Sequence, residues 1–139
     1  TAMSLPSSVD VLLNFITSRQ LLPGSWANAI TNLLTSIQTA TASVTQTQAG
    51  GTDITAASAA ITTGNANDAV TLPKGYAGLE IFIANLSANA LGVFPAVGDT
   101  IFPSAANAVL AQSASKNAIY KVLKVTAAGA ATWYKVEGT

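Results

Sequence analysis

Residues 79–102 read LEIFIANLSANALGVFPAVGDTIF, and this stretch decides the fold class. Leu79, Ile81 and Ile83 alternate with Glu80 and Phe82, the period of two that marks a strand with one face in a core. Phe82 beside Glu80 makes the second face only partly exposed. Asn85 to Asn89 is turn chemistry, Leu91–Phe94 is a second short apolar run, and Gly98-Asp99 is a tight turn before Thr100–Phe102.

The same punctuation extends in both directions. Further strands are expected at Asp53–Thr55, Ala59–Thr62, Ala69–Leu72, Ala108–Ala111, Ala118–Val125 and Thr132–Val136. Gly64-Asn65, Pro73-Lys74-Gly75, Pro103-Ser104 and Ala127-Ala128-Gly129 turn the chain between them. Short strands at such spacing predict a mainly β fold, an antiparallel β-sandwich or jelly-roll-like knob over residues 51–139. Ile119, Leu123 and Val125 share a face with Lys121, while Lys124 lies opposite. A bulge, or a lysine stem laid along apolar surface, reconciles the two.

Upstream of Gly50-Gly51 the pattern becomes helical, and residues 1–50 are expected to form an arm with the glycine pair as its hinge. A first helix runs from Ser8 to about Ser18, capped by Ser7 or Ser8, with Asp10 in its first turn. Val9, Leu12, Leu13 and Ile16 make one apolar stripe along it. Pro23 breaks it and Ser25 caps a second helix. There Ile30, Leu34, Ile37, Thr41, Val44 and Gln48 step by alternating fours and threes, a short heptad seam. Its Leu, Ile and Val placement favours parallel trimers or tetramers. So short a seam holds only if the neighbouring domain also trimerises. An ordinary amphipathic helix, packed against the first in a hairpin, gives much the same pattern.

Composition narrows the function. Six basic and six acidic residues cancel and make up 9% of the chain, against about 25% in an ordinary soluble domain. Area scaling from 14.0 kDa gives a folded monomer roughly 6,700 Å² of surface, thinly covered by those charges. Either Ser, Thr, Asn and Ala clothe it (27 Ala, 17 Thr and 12 Ser are available) or subunits bury much of it. Cysteine and histidine are absent, which removes thiol nucleophiles, disulfides, Cys/His zinc sites and imidazole bases. No basic cluster tracks phosphates, so nucleic acid is not an expected partner. Mean hydropathy is +0.43, yet polar residues interrupt Trp26 to Val44 and Ile81 to Gly98, so no membrane span is expected. No charged start precedes an apolar core, so no secretory signal is expected, and Thr1-Ala2 ahead of Met3 reads as a cloning remnant.

Asp10, Asp53, Asp68, Glu80, Asp99 and Glu137 are scattered, with no paired-carboxylate motif. Asp99 after Gly98 reads as a turn aspartate. Asn65-Ala66-Asn67-Asp68 resembles a calcium-loop fragment but lacks the glycine and closing glutamate. Without histidine or a Ser-x-x-Lys pattern no activated serine is assembled. No enzyme, cofactor or metal is expected. Tyr76, Phe82, Phe94, Phe102, Tyr120, Trp133 and Tyr134 could line a sugar-binding face, but most sit beside aliphatics at alternate positions and are expected in the core. Composition and pattern alone lead to a soluble, oligomeric structural domain.

Residues 61–136 carry a further pattern: Ala69-Val70-Thr71-Leu72-Pro73, then Gly78 to Asn85, Leu91-Gly92-Val93-Phe94-Pro95-Ala96-Val97-Gly98-Asp99-Thr100-Ile101, Ala105-Ala106-Asn107-Ala108 and Thr132-Trp133-Tyr134. This resembles a β domain of small structural proteins of tailed bacteriophages, including head decoration proteins, head fibres and parts of tail fibres. It covers a little over half the chain, and Phe102-Pro103-Ser104 departs from the Asn-Gly turn expected there. The resemblance implies a virion component, usually trimeric, with a jelly-roll-like knob; Trp133 would plug the core. The expectation is a homotrimeric head decoration (cement) or short head-fibre protein. Val9, Leu12, Leu13 and Ile16 would dock on the major capsid protein, and Ile30, Leu34, Ile37, Thr41 and Val44 would form the trimer seam. The alternative is a tail-fibre or receptor-binding module that takes a host glycan.

Overall fold

The computed structural model describes residues 37–138. It places ten strands in chain order: β1 (Ile37–Thr41), β2 (Thr52–Asp53), β3 (Ser58–Thr62), β4 (Asp68–Thr71), β5 (Glu80–Asn85), β6 (Leu91–Phe94), β7 (Thr100–Phe102), β8 (Leu110–Gln112), β9 (Asn117–Val125) and β10 (Ala131–Gly138). They form a six-stranded sheet, β1-β3-β5-β9-β10-β7, and a four-stranded sheet, β2-β4-β6-β8.

The first eight strands alternate between the two sheets. As a result β1, β3 and β5 lie parallel side by side in one sheet, and β2, β4 and β6 do the same in the other. The chain thus winds three turns of a two-sheet coil, with Ile37 beside Ser58 and Ser58 beside Phe82, 21 and 24 positions on. β8 returns antiparallel to β6, and β9 and β10 form an antiparallel pair alongside β5. β7 closes the far edge parallel to β10. The fold is therefore mainly β, as expected, but its pairing is mixed rather than antiparallel. Turn residues announce that the chain turns, not which sheet receives the next strand; a crossing to the opposite sheet yields parallel neighbours where a hairpin yields antiparallel ones.

A shared core fills the space between the sheets. From the six-stranded sheet come Ile61, Ile81, Ile83, Tyr120, Val122 and Trp133, and from the four-stranded one Val70, Leu91 and Val93. Each large side chain buried in this way contributes about 1.5–3 kcal/mol. Trp133 is wholly buried, filling the core as expected. On β5 the alternation is also as expected: Ile81 and Ile83 point in, Glu80 and Phe82 out. On β9 the inward set is Ala118, Tyr120 and Val122, so Ile119, Lys121 and Leu123 face out. No lysine needs rescuing from the core. Thr132 pairs with Lys124 and Trp133 with Val122, so Leu123 is skipped and the bulge lies on β9, one of the two resolutions the sequence offered.

The helical reading of residues 37–48 is corrected. Ile37–Thr41 is a strand, paired in parallel with Ser58–Thr62. Ala42 lies in the core, and Ser43 bridges Ala69 through both backbone hydrogen bonds, at 2.9 and 2.8 Å. The β body thus begins at Ile37, ahead of the expected boundary at 50/51. β-Branched Thr39, Thr41, Val44, Thr45 and Thr47 favour extended backbone, and pairing with β3 outweighs a heptad spacing that so short a segment satisfies by chance. Gly50-Gly51 is a tight turn laid against β4, not a hinge: Gly51 N–H donates to Thr47 O, and a Cβ on Gly51 would stand 2.7 Å from Thr71 Oγ1. The first predicted helix, with Val9, Leu12, Leu13 and Ile16, and the upper seam, Ile30 and Leu34, lie outside the described residues.

Two buried polar clamps lock the loops. Asp99, with no exposed surface, accepts the N–H groups of Gly75 and Ala131, each at 2.9 Å, and pairs with the Lys74 ammonium. It is a cross-loop anchor rather than a plain turn residue. Gln112 of β8 donates from Nε2 to the carbonyls of Ile83 and Lys116, both at 2.9 Å, and its Oε1 accepts the Tyr120 hydroxyl at 3.0 Å. This clamp ties the two sheets together through the core.

Candidate interaction face

The outer face of the six-stranded sheet carries what the core does not need. Strand registers set a row straight across it: Ile37, Ser58, Phe82, Ile119 and Val136. Ile37 is 77% exposed and Val136 70%, whereas Phe82 and Ile119, mid-sheet, are 38% exposed because neighbouring strands flank them. A shallow apolar groove of about 180 Å³ lies here, lined by Phe82, Asn117, Ala118, Ile119, Val136 and Gly138. The next row runs Glu80, Lys121, Tyr134 and Phe102. Phe102 and Tyr134 stack with ring centroids 5.4 Å apart. Glu80 and Lys121 stand 3.7 Å apart, both half exposed, a pair that adds little stability. Leu123 adds a further exposed aliphatic.

The aromatic residues therefore divide. Tyr120 and Trp133 are core, as expected, but Tyr76, Phe82 and Phe102 are exposed. Phe82 and Phe102 hold outward strand positions because alternate neighbours, not they, fill the space between sheets, while Tyr76 lies in the loop before β5.

No protein family matches this chain, and no curated protein does.

Four acidic side chains, Asp68, Glu80, Asp99 and Glu137, are engaged in structural contacts. Asp68 Oδ2 accepts the N–H groups of Gly64 and Asn65 at 2.9 and 2.8 Å, closing the 64–68 turn as a cap and not as a calcium loop. The Asn65 backbone N–H holds its carboxyl below the usual 3.8, against the cost of burial, with help from Gly64 and Gln46. Burial opposes ionisation of Glu137, but Lys135 at 2.8 Å and Ser113 outweigh it, and its carboxyl also lies low. Burial, with Glu137 adding to it, pushes the Tyr120 phenol up, so it stays a neutral donor. Among the described residues no three His, Cys, Asp or Glu side chains gather as metal ligands. No helix among them is long and apolar enough to cross a membrane.

Of the residues expected at the trimer seam, Ile37 joins the outer-face row. Thr41 sits at the end of β1 with its hydroxyl 3.2 Å from that of Thr62, and Val44 is exposed in the following loop. They do not form a helical seam. The outward residues Phe82, Ile119, Leu123 and Val136 were legible as strand positions, and the mismatch of Ile119 with Lys121 was the sequence signal that this face is apolar yet outside. A second hollow, about 320 Å³ beside the four-stranded sheet, is lined by Gln46, Asn67, Phe94, Val109 and Ala111.

Proposed function

We propose that this chain is a non-enzymatic structural protein of a tailed-bacteriophage virion, a head decoration (cement) or short head-fibre protein. In this reading it docks on the major capsid protein as a homotrimer, assembled in the host cytoplasm, with the two-sheet body as a jelly-roll-like knob. The observation that carries the reading is the apolar row Ile37–Phe82–Ile119–Val136 on the outside of a body whose core is already complete. Exposed apolar patches of this kind mark interaction surfaces. The resemblance of residues 61–136 to phage structural domains supplies the setting, and the engagement of Asp68, Glu80, Asp99 and Glu137 in structural contacts agrees with a passive role.

The mechanism is bridging. A symmetric trimer that buries apolar area across neighbouring capsid subunits resists their separation. With formal net charge zero, docking depends weakly on salt. Immunogold labelling of particles from a lysate of the source strain tests this. Gold over the heads is expected, and particles without gold would overturn a virion role. Exposed Phe102, stacked on half-buried Tyr134, favours a second reading, a tail-fibre module whose aromatic surface takes a host glycan. Gold at the tail tip, with stabilisation by oligosaccharides, would select it.

A further inference from the structure

We infer that the outer face of the six-stranded sheet is the docking surface for a second copy of this chain. The inference names the partner of the face on which the proposed function rests. The sheet order puts the midline between β5 and β9, three strands on either side. On that midline Phe82 lies beside Ile119 and Glu80 beside Lys121. A second copy turned face to face brings the apolar row against itself and each Glu80 within reach of the other copy's Lys121. The two central strands thus supply acid and base to each other, and a partner of strong net charge would find no complement there.

Area agrees. Six strands about 4.8 Å apart, averaging about six residues at about 3.3 Å each, span roughly 600 Å² as a flat plane. Side-chain relief raises this toward the ~800 Å² per partner of an ordinary stable interface. Sheets pack face to face at about 10 Å, with strands about 30° apart. At that separation the groove beside Val136 receives an aliphatic side chain from the facing copy. The two half-exposed residues at the centre, Phe82 and Ile119, would be the anchors, and Ile37 and Val136 the flanks.

The test is the mass of the full chain by light scattering and sedimentation velocity, from micromolar to sub-millimolar concentration. The wild type is expected at two chain masses, since a face packed against its own copy closes on a two-fold axis. Val136→Glu and, separately, Phe82→Gln weaken association by at least about tenfold, with the circular dichroism spectrum unchanged. Val109→Glu, beside the four-stranded sheet, leaves the mass alone. Because both face positions point outward, the two variants serve as checks on each other's folding. A wild type that stays monomeric throughout overturns the inference. So does an assembly that both face variants leave intact, since its contacts then lie elsewhere. A dimer broken by the face variants upholds the inference and removes the homotrimer from the proposed function. A monomer that still labels virion heads keeps the virion role and places another protein on this face.

Discussion

Replacing Asp99 by alanine removes one carboxylate that holds three loops at once. Its oxygens accept the Gly75 and Ala131 N–H groups, at 2.9 Å each, and Lys74 reaches the same carboxylate from a half-exposed position. In the variant, two buried backbone donors lose their acceptor, each at a cost of about 1–3 kcal/mol, so the total is about 2–6 kcal/mol. Lys74 turns into solvent at little expense. At about 4–8 °C per kcal/mol for a body of this size, the thermal midpoint falls by at least about 8 °C. Differential scanning calorimetry at neutral pH measures it. Asp99→Asn is expected to fall between wild type and alanine, because its amide nitrogen confronts one of the two N–H donors. Lys74→Met removes the counter-charge but leaves the buried carboxylate with both backbone donors, and should cost less than Asp99→Ala. An Asp99→Ala midpoint within about 3 °C of wild type would refute the clamp. A Lys74→Met loss equal to it would move the stabilisation from the backbone donors to the ion pair.

Other outcomes follow from the same geometry. Tyr120→Phe leaves Gln112 Oε1 without its donor and costs about 1–3 kcal/mol in urea unfolding; Gln112→Leu, which orphans the phenol and two carbonyls, costs more. Gly75→Ala places a methyl 2.5 Å from Ala131 Cβ and 3.0 Å from Val122 Cγ2, and destabilises by about 1–3 kcal/mol in the same assay. The Asp68 carboxyl lies low in the folded protein, so its stabilisation is whole above 3.8 and drains as pH falls through the folded value. Asp68→Asn should therefore flatten the acid limb of a melting-temperature–pH curve. A slope unchanged by the substitution would assign that limb to other carboxylates such as Glu137.

Much of the β body was legible because short strands with alternating burial leave their signature in consecutive residues. Leu91–Phe94 and Thr100–Phe102 fall where the sequence puts them, and Ile81 and Ile83 face the core as their spacing requires. What escaped was non-local. Ile37–Thr41 looks helical in isolation and becomes a strand because β3 lies beside it. The parallel pairing of β4 with β6 leaves no local mark either, since it joins residues 23 positions apart. The interaction face was half legible. Lys121 among aliphatics stood out as a conflict, which the sequence resolved by a bulge or a lysine stem and not by an outward apolar strand, and only the sheet order reveals that Phe82, Ile119 and Val136, far apart in sequence, form one row. Asp99 and Gln112 carry no local mark of burial, since their partners come from loops and strands remote in the chain.

The alternation between sheets gives this architecture a unit of growth. Each turn of the coil, 21 or 24 residues long, lays one strand on each sheet and returns the chain to its starting side. An insertion of one whole turn therefore adds about 4.8 Å to the width of both sheets and leaves the phase of every later side chain intact. Insertion of half a turn would send all subsequent strands to the wrong sheet. Length variation among proteins built this way should come in quanta of a turn, and a duplicated turn is the natural means of widening the sandwich without redesigning its core.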